Sequence, residues 1–434
     1  MIALMTVCLL SASELPLVFV TPDSAQSANN VRIQPQLPEP GQTLIFNNHQ
    51  PDLWYAPAAA IPEGDAIRIW YQRVCKSEKE YSDQRTLCVG ELRGDQWSLP
   101  AFDSTTPAWG GPNNVVMRRS PHKPTWGGFN VFQLLRVGEF YRMLYWDQPE
   151  LPAEAGAMVA ESKDGVTWEK RSGTVFTEHN DAYTLIHKDD EYILYQTALE
   201  PWPDKPYPDN IDKFKRVLCV RTSPDLLTWT PQEIFLRPDK DDAPETEFYL
   251  LKVFSYGGKY AGLIMKYYGD PKLPNKHSGI LKYELIVSDD ARTWQRPFRD
   301  TDLGFWSYAD PFTIGDKMHF VIWKDGGMNT ITYRQSGLTA VVAEGEGSFV
   351  TTPFALPASG LTLNADARDG WIEVQLADES GAPLDSVRAR IGNENGTRLP
   401  ISLSEETVKK FAGKPCTLRI TMGRAKLFAI AATP

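Results

Sequence analysis

Acidic side chains recur at matching places in this 434-residue sequence. Asp52, Asp181, Glu247 and Asp310 each stand just ahead of a run of alternating apolar and aromatic residues. The first three are separated by steps of 129 and 66 residues. Asn130, close to Trp126-Gly-Gly, holds the equivalent place ahead of a further run. Two carboxyl groups flanking a glycosidic bond can break it: one protonates the leaving oxygen and the other activates water or attacks the sugar carbon. Trp54, Tyr55, Trp126, Tyr183, Tyr249, Trp306 and Tyr308 cluster at the same places. Flat rings beside hydrogen-bonding groups suit a carbohydrate site. Plainer roles stay open. Asp52 and Asp310 fit turns, Asp181 fits a loop bond network, and Glu247 fits a solvated position with Glu245 or Asp242 as the real acid. The rings also suit packing between structural units. Arg118, Arg119, His122 and Lys123, in the long segment 98–129, either overhang the site or form a solvated loop.

A repeat positions these groups. Ser162-Lys-Asp-Gly-Val-Thr-Trp168 returns as Ser223-Pro-Asp-Leu-Leu-Thr-Trp229 and as Ser288-Asp-Asp-Ala-Arg-Thr-Trp294, with tryptophan spacings of 61 and 65 residues. Glu91–Trp97 is a worn copy before them, and Glu344–Phe349 reads as a fifth copy after them. Each unit carries turn residues and then a strand-like run, such as Gly138-Glu before Phe140–Tyr145. Units of about 60 residues with several strands and no helical period are blades of a β-propeller. In S-x-D-x-x-T-W, serine and aspartate can close a turn on backbone N–H groups, and the tryptophan can wedge between blades. Innermost strands run along the propeller axis, so residues at their starts line one mouth.

The texture changes after residue 350. Short alternating strands such as Gly370–Leu376 and Cys416–Thr421 predict a β-sandwich over 355–434, docked through Leu361, Trp371 and Phe428. The expected class is all-β, a five-bladed propeller over 35–350 followed by that sandwich. At the other end, residues 1–28 read as an export signal cut near Ala25–Ala28, with a secreted or periplasmic product; a buried N-terminal strand is the alternative. Elsewhere no stretch reaches membrane-span length. Cys75 and Cys88 either pair as a disulfide or stand as isolated thiols. A net charge of −10 argues against nucleic acid as the main partner. The six histidines show no metal-ligand spacing, and no nucleotide-binding or nucleophile-elbow motif occurs, so no cofactor is expected.

Ser162–Trp168, Ser223–Trp229, Glu247–Tyr260 and Leu361–Asn364 running into Gly370–Val374 carry a family resemblance over roughly residues 50–434. The chain resembles the five-bladed propeller glycosidases related to arabinanases, β-xylosidases and invertases, and more closely exported bacterial family 32/43-like proteins. The resemblance implies an exo-acting glycoside hydrolase working on plant or algal oligosaccharides or polysaccharides. Asp52 would be base or nucleophile, Asp181 would orient substrate and keep the acid protonated, and Glu247 would be the acid. Trp54, Tyr55, Trp126, Asn130, Tyr249, Trp306, Tyr308 and Asp310 would bind substrate. Some relatives carry axial calcium. The family 32 motifs N-D-P-N-G, R-D-P and E-C are absent, which weakens a fructan substrate and keeps a non-catalytic glycan-binding or surface protein as the competing reading. The sialidase box is one residue longer than the repeat here, and no arginine cluster for a sialic acid carboxylate is identifiable.

Overall fold

The computed structural model describes residues 15–47, 50–101, 114–123, 128–178, 183–272, 274–275, 278–384, 386 and 388–434. Five antiparallel sheets stand around an axis. Blade 1 runs from the inner strand Leu53–Glu63 through Ala66–Cys75 and Arg85–Arg93 to Gln96–Ser98, with Val115–Arg118 added at Arg85–Arg93. Blade 2 begins at Asn130–Val137 and blade 3 at Tyr183–Lys188. Blade 4 has the three strands Thr246–Tyr256, Lys259–Tyr268 and Ile280–Ser288. Blade 5 takes Phe312–Ile314, Lys317–Lys324 and Gly327–Arg334 from its own stretch and its fourth strand, Glu39–Phe46, from near the N-terminus.

A blade has two apolar faces and buries each against a neighbour, so five blades need five apolar seams. All five are present. Trp70 and Tyr145 meet between blades 1 and 2, Trp146 and Leu194 between 2 and 3, Tyr195 and Phe248 between 3 and 4. Phe254 and Phe320 meet between 4 and 5, and Val321 and Ile69 between 5 and 1. The repeat builds four of these seams as expected. Trp97, Trp168, Trp229 and Trp294 each pack into the seam between their own blade and the preceding one. In the turns, Asp164, Asp225 and Asp290 each accept two backbone N–H groups at 2.7–2.8 Å and a serine hydroxyl. Burial alone would raise the Asp290 carboxyl; the N–H groups of Thr293 and Arg292 outweigh it and bring the pKa down to about 2.

The fifth copy is a correction. Glu344–Phe349 lies in Thr339–Thr351, a strand of the C-terminal module, where the Phe349 ring meets Phe19 edge-on at 5.6 Å. Because blade 5 receives its outer strand from Glu39–Phe46, no hairpin of the repeat type joins its third and fourth strands.

The C-terminal module is a ten-stranded sheet around one apolar core, organised on the eighteen-residue strand Pro415–Ala432. The N-terminus belongs to it. Leu17–Val18 pairs with Ile430 and Ala429, while Ala25–Asn29 and Arg32–Pro35 pair with Thr339–Thr351. Phe19 and Val20 are each 1% exposed. Within the stretch read as an export signal, Leu17–Val18 is a buried strand and Ala25–Asn29 a largely exposed one; residues 1–14 lie outside the described residues. Docking on the propeller differs from expectation. Leu361 is in the module's own core and Trp371 lies under Arg390. The joint uses Val18, Val20 and Ala429 in the seam of blades 4 and 5, with Arg334 over Phe428 and bonded to Asn395 at 2.7 Å. Cys75 and Cys88 are separate buried thiols: Cys88 lies opposite Tyr71, four positions along the strand from Cys75.

Two outcomes follow. Asp290→Ala lowers unfolding stability by about 1–2 kcal/mol at neutral pH, the range of a lost cap with its charged acceptor. Since the folded Asp290 pKa lies below its unfolded value, this contribution exists above the unfolded pKa and fades as pH falls toward 2. Denaturation midpoints of wild type and variant should accordingly converge between about pH 4 and 2. Truncation after residue 351 removes Pro415–Ala432, the partner of Leu17–Val18 and Thr339–Thr351, and should give insoluble protein in expression trials.

Candidate active site at the propeller axis

A cavity of about 540 Å³ opens at the mouth defined by the inner-strand starts. Two groups of aromatic rings line it. In one, Tyr283, Trp306 and Tyr308 follow one another, with Trp306–Tyr308 ring centres 5.7 Å apart at 84°. The second group is Trp54, Tyr55 and Trp323, the last two 5.8 Å apart. Burial raises the phenols of Tyr55 and Tyr283 above the usual tyrosine value, so both remain hydrogen-bond donors at neutral pH. The polar lining is Gln72, Arg85, Asn130 and Lys324. Arg85 donates to the Asn130 side-chain oxygen at 2.7 Å and to the Phe129 carbonyl at 3.0 Å, fixing the amide at the wall. Gln72 donates to the Val131 carbonyl at 3.2 Å, tying blade 1 to blade 2 beneath the cavity.

Five expected binding residues, Trp54, Tyr55, Asn130, Trp306 and Tyr308, meet at this cavity. Tyr249 stands outside the lining, packed with Leu250 and Met265 under the Arg216 guanidinium at 4.7 Å. Trp126 and Asp181 lie outside the described residues. Arg118 pairs with Asp83 at 2.5 Å and Arg119 stacks on Tyr81 at 3.7 Å, so this part of segment 98–129 is tied to blade 1. His122 and Lys123 do not line the cavity.

The carboxylates depart most from expectation. Asp52 is exposed at the turn before Leu53–Glu63, away from the cavity lining. Glu247 is fully buried inside an ionic cluster. It receives the Arg216 backbone N–H at 2.8 Å, the Arg216 guanidinium at 3.0 Å, the Lys205 ammonium at 2.7 Å and the Tyr207 hydroxyl. Asp209 shares both cations; burial opposes its ionisation, yet Arg216 and Lys205 hold its carboxyl well below the usual range. The negative neighbourhood expected around a general acid is thus a cationic one, and Glu247 joins blades 3 and 4. Asp242 is gripped by Arg296 through two contacts of 2.6 Å, and Glu245 lines no part of the cavity.

Asp310 does not line the cavity. Its carboxylate is 2.5 Å from the Lys252 ammonium, and its side chain keeps 38% exposure. Lys252, 1% exposed, also donates to Gln133 at 2.7 Å. Burial holds the Lys252 ammonium below the usual lysine range, and Asp310 opposes that effect. Sequence reasoning missed Lys252, Gln133, Arg85, Gln72, Tyr283, Trp323 and Lys324. Lys252 had a readable signal: a lone cation between Leu250-Leu251 and Val253-Phe254. Among the described residues no group of three or more His, Cys, Asp or Glu is placed to hold a metal ion, and no helix is long and apolar enough to cross a membrane.

No protein-family model matches the chain, and no curated protein matches it. Several solved structures are similar to it at low identity. A β-1,2-mannobiose phosphorylase from Listeria innocua is 10% identical, with 68% of this chain and 95% of that one covered at a TM-score of 0.44. The Bombyx mori GH32 β-fructofuranosidase BmSUC1 is 11% identical, covering 91% and 94% at 0.43. A structure reported for GH130 glycoside hydrolases that target β-1,2 mannosidic linkages in Candida mannan is 14% identical, covering 75% and 95% at 0.40.

Replacing Glu247 with Gln leaves Arg216 and Lys205 facing one negative charge fewer. Breaking a buried pair costs about 3–5 kcal/mol. The variant should show that loss as a lower midpoint in urea unfolding.

Proposed function

We propose that this chain is a carbohydrate-active propeller that seats the end of a saccharide in its axial cavity and hydrolyses the adjoining glycosidic bond. The observation that carries the reading is the cavity itself: two groups of aromatic rings share its lining with Asn130, Gln72 and Arg85, at the inner-strand starts of a five-bladed ring. Rings supply stacking surfaces, and the amides and guanidinium supply directional bonds to hydroxyls. Glycoside hydrolases and phosphorylases are among the proteins that share this fold.

The reacting carboxylates are then Asp310 and Asp181, since Asp52 is exposed away from the cavity and Glu247 is held in a buried ionic cluster. Asp310 stands two residues ahead of its inner strand, which begins at Phe312, and Asp181 stands two residues ahead of Tyr183. With Lys252 facing it, Asp310 suits the role of base or nucleophile, leaving Asp181 as the acid. Family 32/43-like hydrolysis, exo action, a plant or algal glycan as substrate and export to the secreted or periplasmic space belong to the same proposal.

A second reading, non-catalytic glycan binding, is favoured by one observation: among the described residues the cavity lining contains no carboxylate, and so no facing pair. The two readings separate on a panel of aryl glycosides and natural oligosaccharides assayed for both binding and turnover. Hydrolysis is expected, with Asp310→Asn reducing kcat at least a hundredfold, the scale of a lost general acid–base group, while binding persists. Trp306→Ala should weaken binding about tenfold or more. Binding without turnover on the whole panel selects the second reading, and an unchanged rate in Asp310→Asn removes Asp310 from the chemistry.

A further inference from the structure

The lining of the axial cavity carries one sign of charge. Its charged groups are Arg85 and Lys324, both cations, and among the described residues it holds no carboxylate. A third cation stands at its edge: the Lys76 ammonium lies 5.3 Å from the ring centre of Trp54, which lines the cavity. The acids nearby are paired or lie outside the lining. Glu78 is bonded to Arg73 at 2.7 Å and Asp310 to Lys252 at 2.5 Å. Asp52 and Asp325 are exposed and absent from the lining. Lys324 is itself exposed and forms no ion pair among the described residues. This contrasts with the net charge of −10 on the whole chain, and a concave wall of one sign concentrates its field on whatever enters.

The hydrogen-bonding capacity is biased the same way. Guanidinium and ammonium groups only donate. The phenols of Tyr55 and Tyr283 keep their protons at neutral pH. The Asn130 side-chain oxygen already accepts from Arg85 at 2.7 Å, and the Gln72 side-chain oxygen is buried. A sugar hydroxyl both donates and accepts, whereas carboxylate and sulfate oxygens only accept. A donor-rich lining therefore fits charged ligand oxygens better than a ring of neutral hydroxyls, while the aromatic groups still suit the face of a sugar.

We infer that the saccharide taken by this cavity is an acidic one, with a carboxylate or sulfate ester held by the Lys324 ammonium. The inference rests on the saccharide reading above and names its substrate class. Lys324 is the group assigned because its ammonium is committed to no carboxylate of the fold. Arg85 is held in place by Phe129 and Asn130 and adds its charge from a fixed position.

The test is calorimetric titration of the full chain with matched trisaccharides. Trigalacturonate, triglucuronate and trimannuronate are each compared with the methyl ester, which keeps the skeleton and removes the charge. A sulfated galactose trisaccharide is compared with its unsulfated parent. For the pair that binds, the acid should bind at least about tenfold tighter than its neutral twin at low salt, and the preference should shrink at about 0.5 M NaCl, where exposed charges are screened. Whichever pair shows the preference identifies the anion as carboxylate or sulfate. Lys324→Gln should reduce the preference to about threefold or less, and Lys324→Arg should keep it. Both changes fall at an exposed position, and an unchanged melting temperature verifies the fold. A neutral twin that binds as tightly as its acid, or a preference untouched by salt or by Lys324→Gln, overturns the inference and leaves the saccharide reading standing. Absence of binding by every acid and every neutral twin overturns the saccharide reading, and this inference with it.

Discussion

Everything at the axis depends on the pairing of Glu39–Phe46 with Gly327–Arg334. Each blade needs a partner on both faces, and an open row of five would leave two apolar faces in water. The N-terminal strand completes blade 5, and Val321, Met328 and Leu44 then pack against Ile67, Ile69 and Tyr71 of blade 1. Large apolar side chains contribute roughly 1.5–3 kcal/mol each when buried, so a seam of this size holds the ring shut. The cavity lining comes from blades 1, 2, 4 and 5 and from the segment ahead of blade 5, so an open ring has no such site.

Within that ring, charge is sorted by depth. Glu247 and Asp209 meet Lys205 and Arg216, and Glu284 and Asp242 meet Arg296, all in places where the acids are nearly inaccessible. Removing a partner from such clusters is costly, so they fasten blade edges to one another. Around the axial opening the pattern is different: aromatic rings dominate the lining, and Asp310, outside it, stays partly in reach of solvent beside its lysine. A protein with net charge −10 thus presents Arg85 and Lys324 at its main cavity.

Local bonding explains what could be read from the sequence. S-x-D-x-x-T-W specifies its own turn through bonds within seven residues, so three copies announce three blades wherever they stand, and the ring positions at inner-strand starts follow from them. Glu344–Phe349 has a similar composition but no such aspartate, and its partners were decided by strands at both chain ends. Glu247 was legible as the start of an inner strand. That Lys205 and Arg216, about 40 and 30 residues earlier, turn back onto its carboxylate is a tertiary event with no local signature. Asp310 was legible as the residue ahead of an inner strand, whereas its meeting with Lys252 depends on two blades converging. The N-terminal apolar stretch is ambiguous by composition alone, since a strand buried on both sides and a signal core use the same residues.

The two ends of the chain share one module, with the propeller inserted between them, and this has a consequence for biosynthesis. Leu17–Val18 leaves the ribosome long before its partner Ile430 is made. Gln42 waits for Thr330, 288 residues later. At roughly 5–20 residues per second, the unpaired N-terminal strands are exposed for many seconds while the blades assemble beside them. Aggregation is therefore a hazard of the nascent chain more than of the finished protein. The polar, proline-bearing composition of Gln34-Pro-Gln-Leu-Pro-Glu-Pro40 is suited to keeping that segment from pairing prematurely with a neighbouring chain.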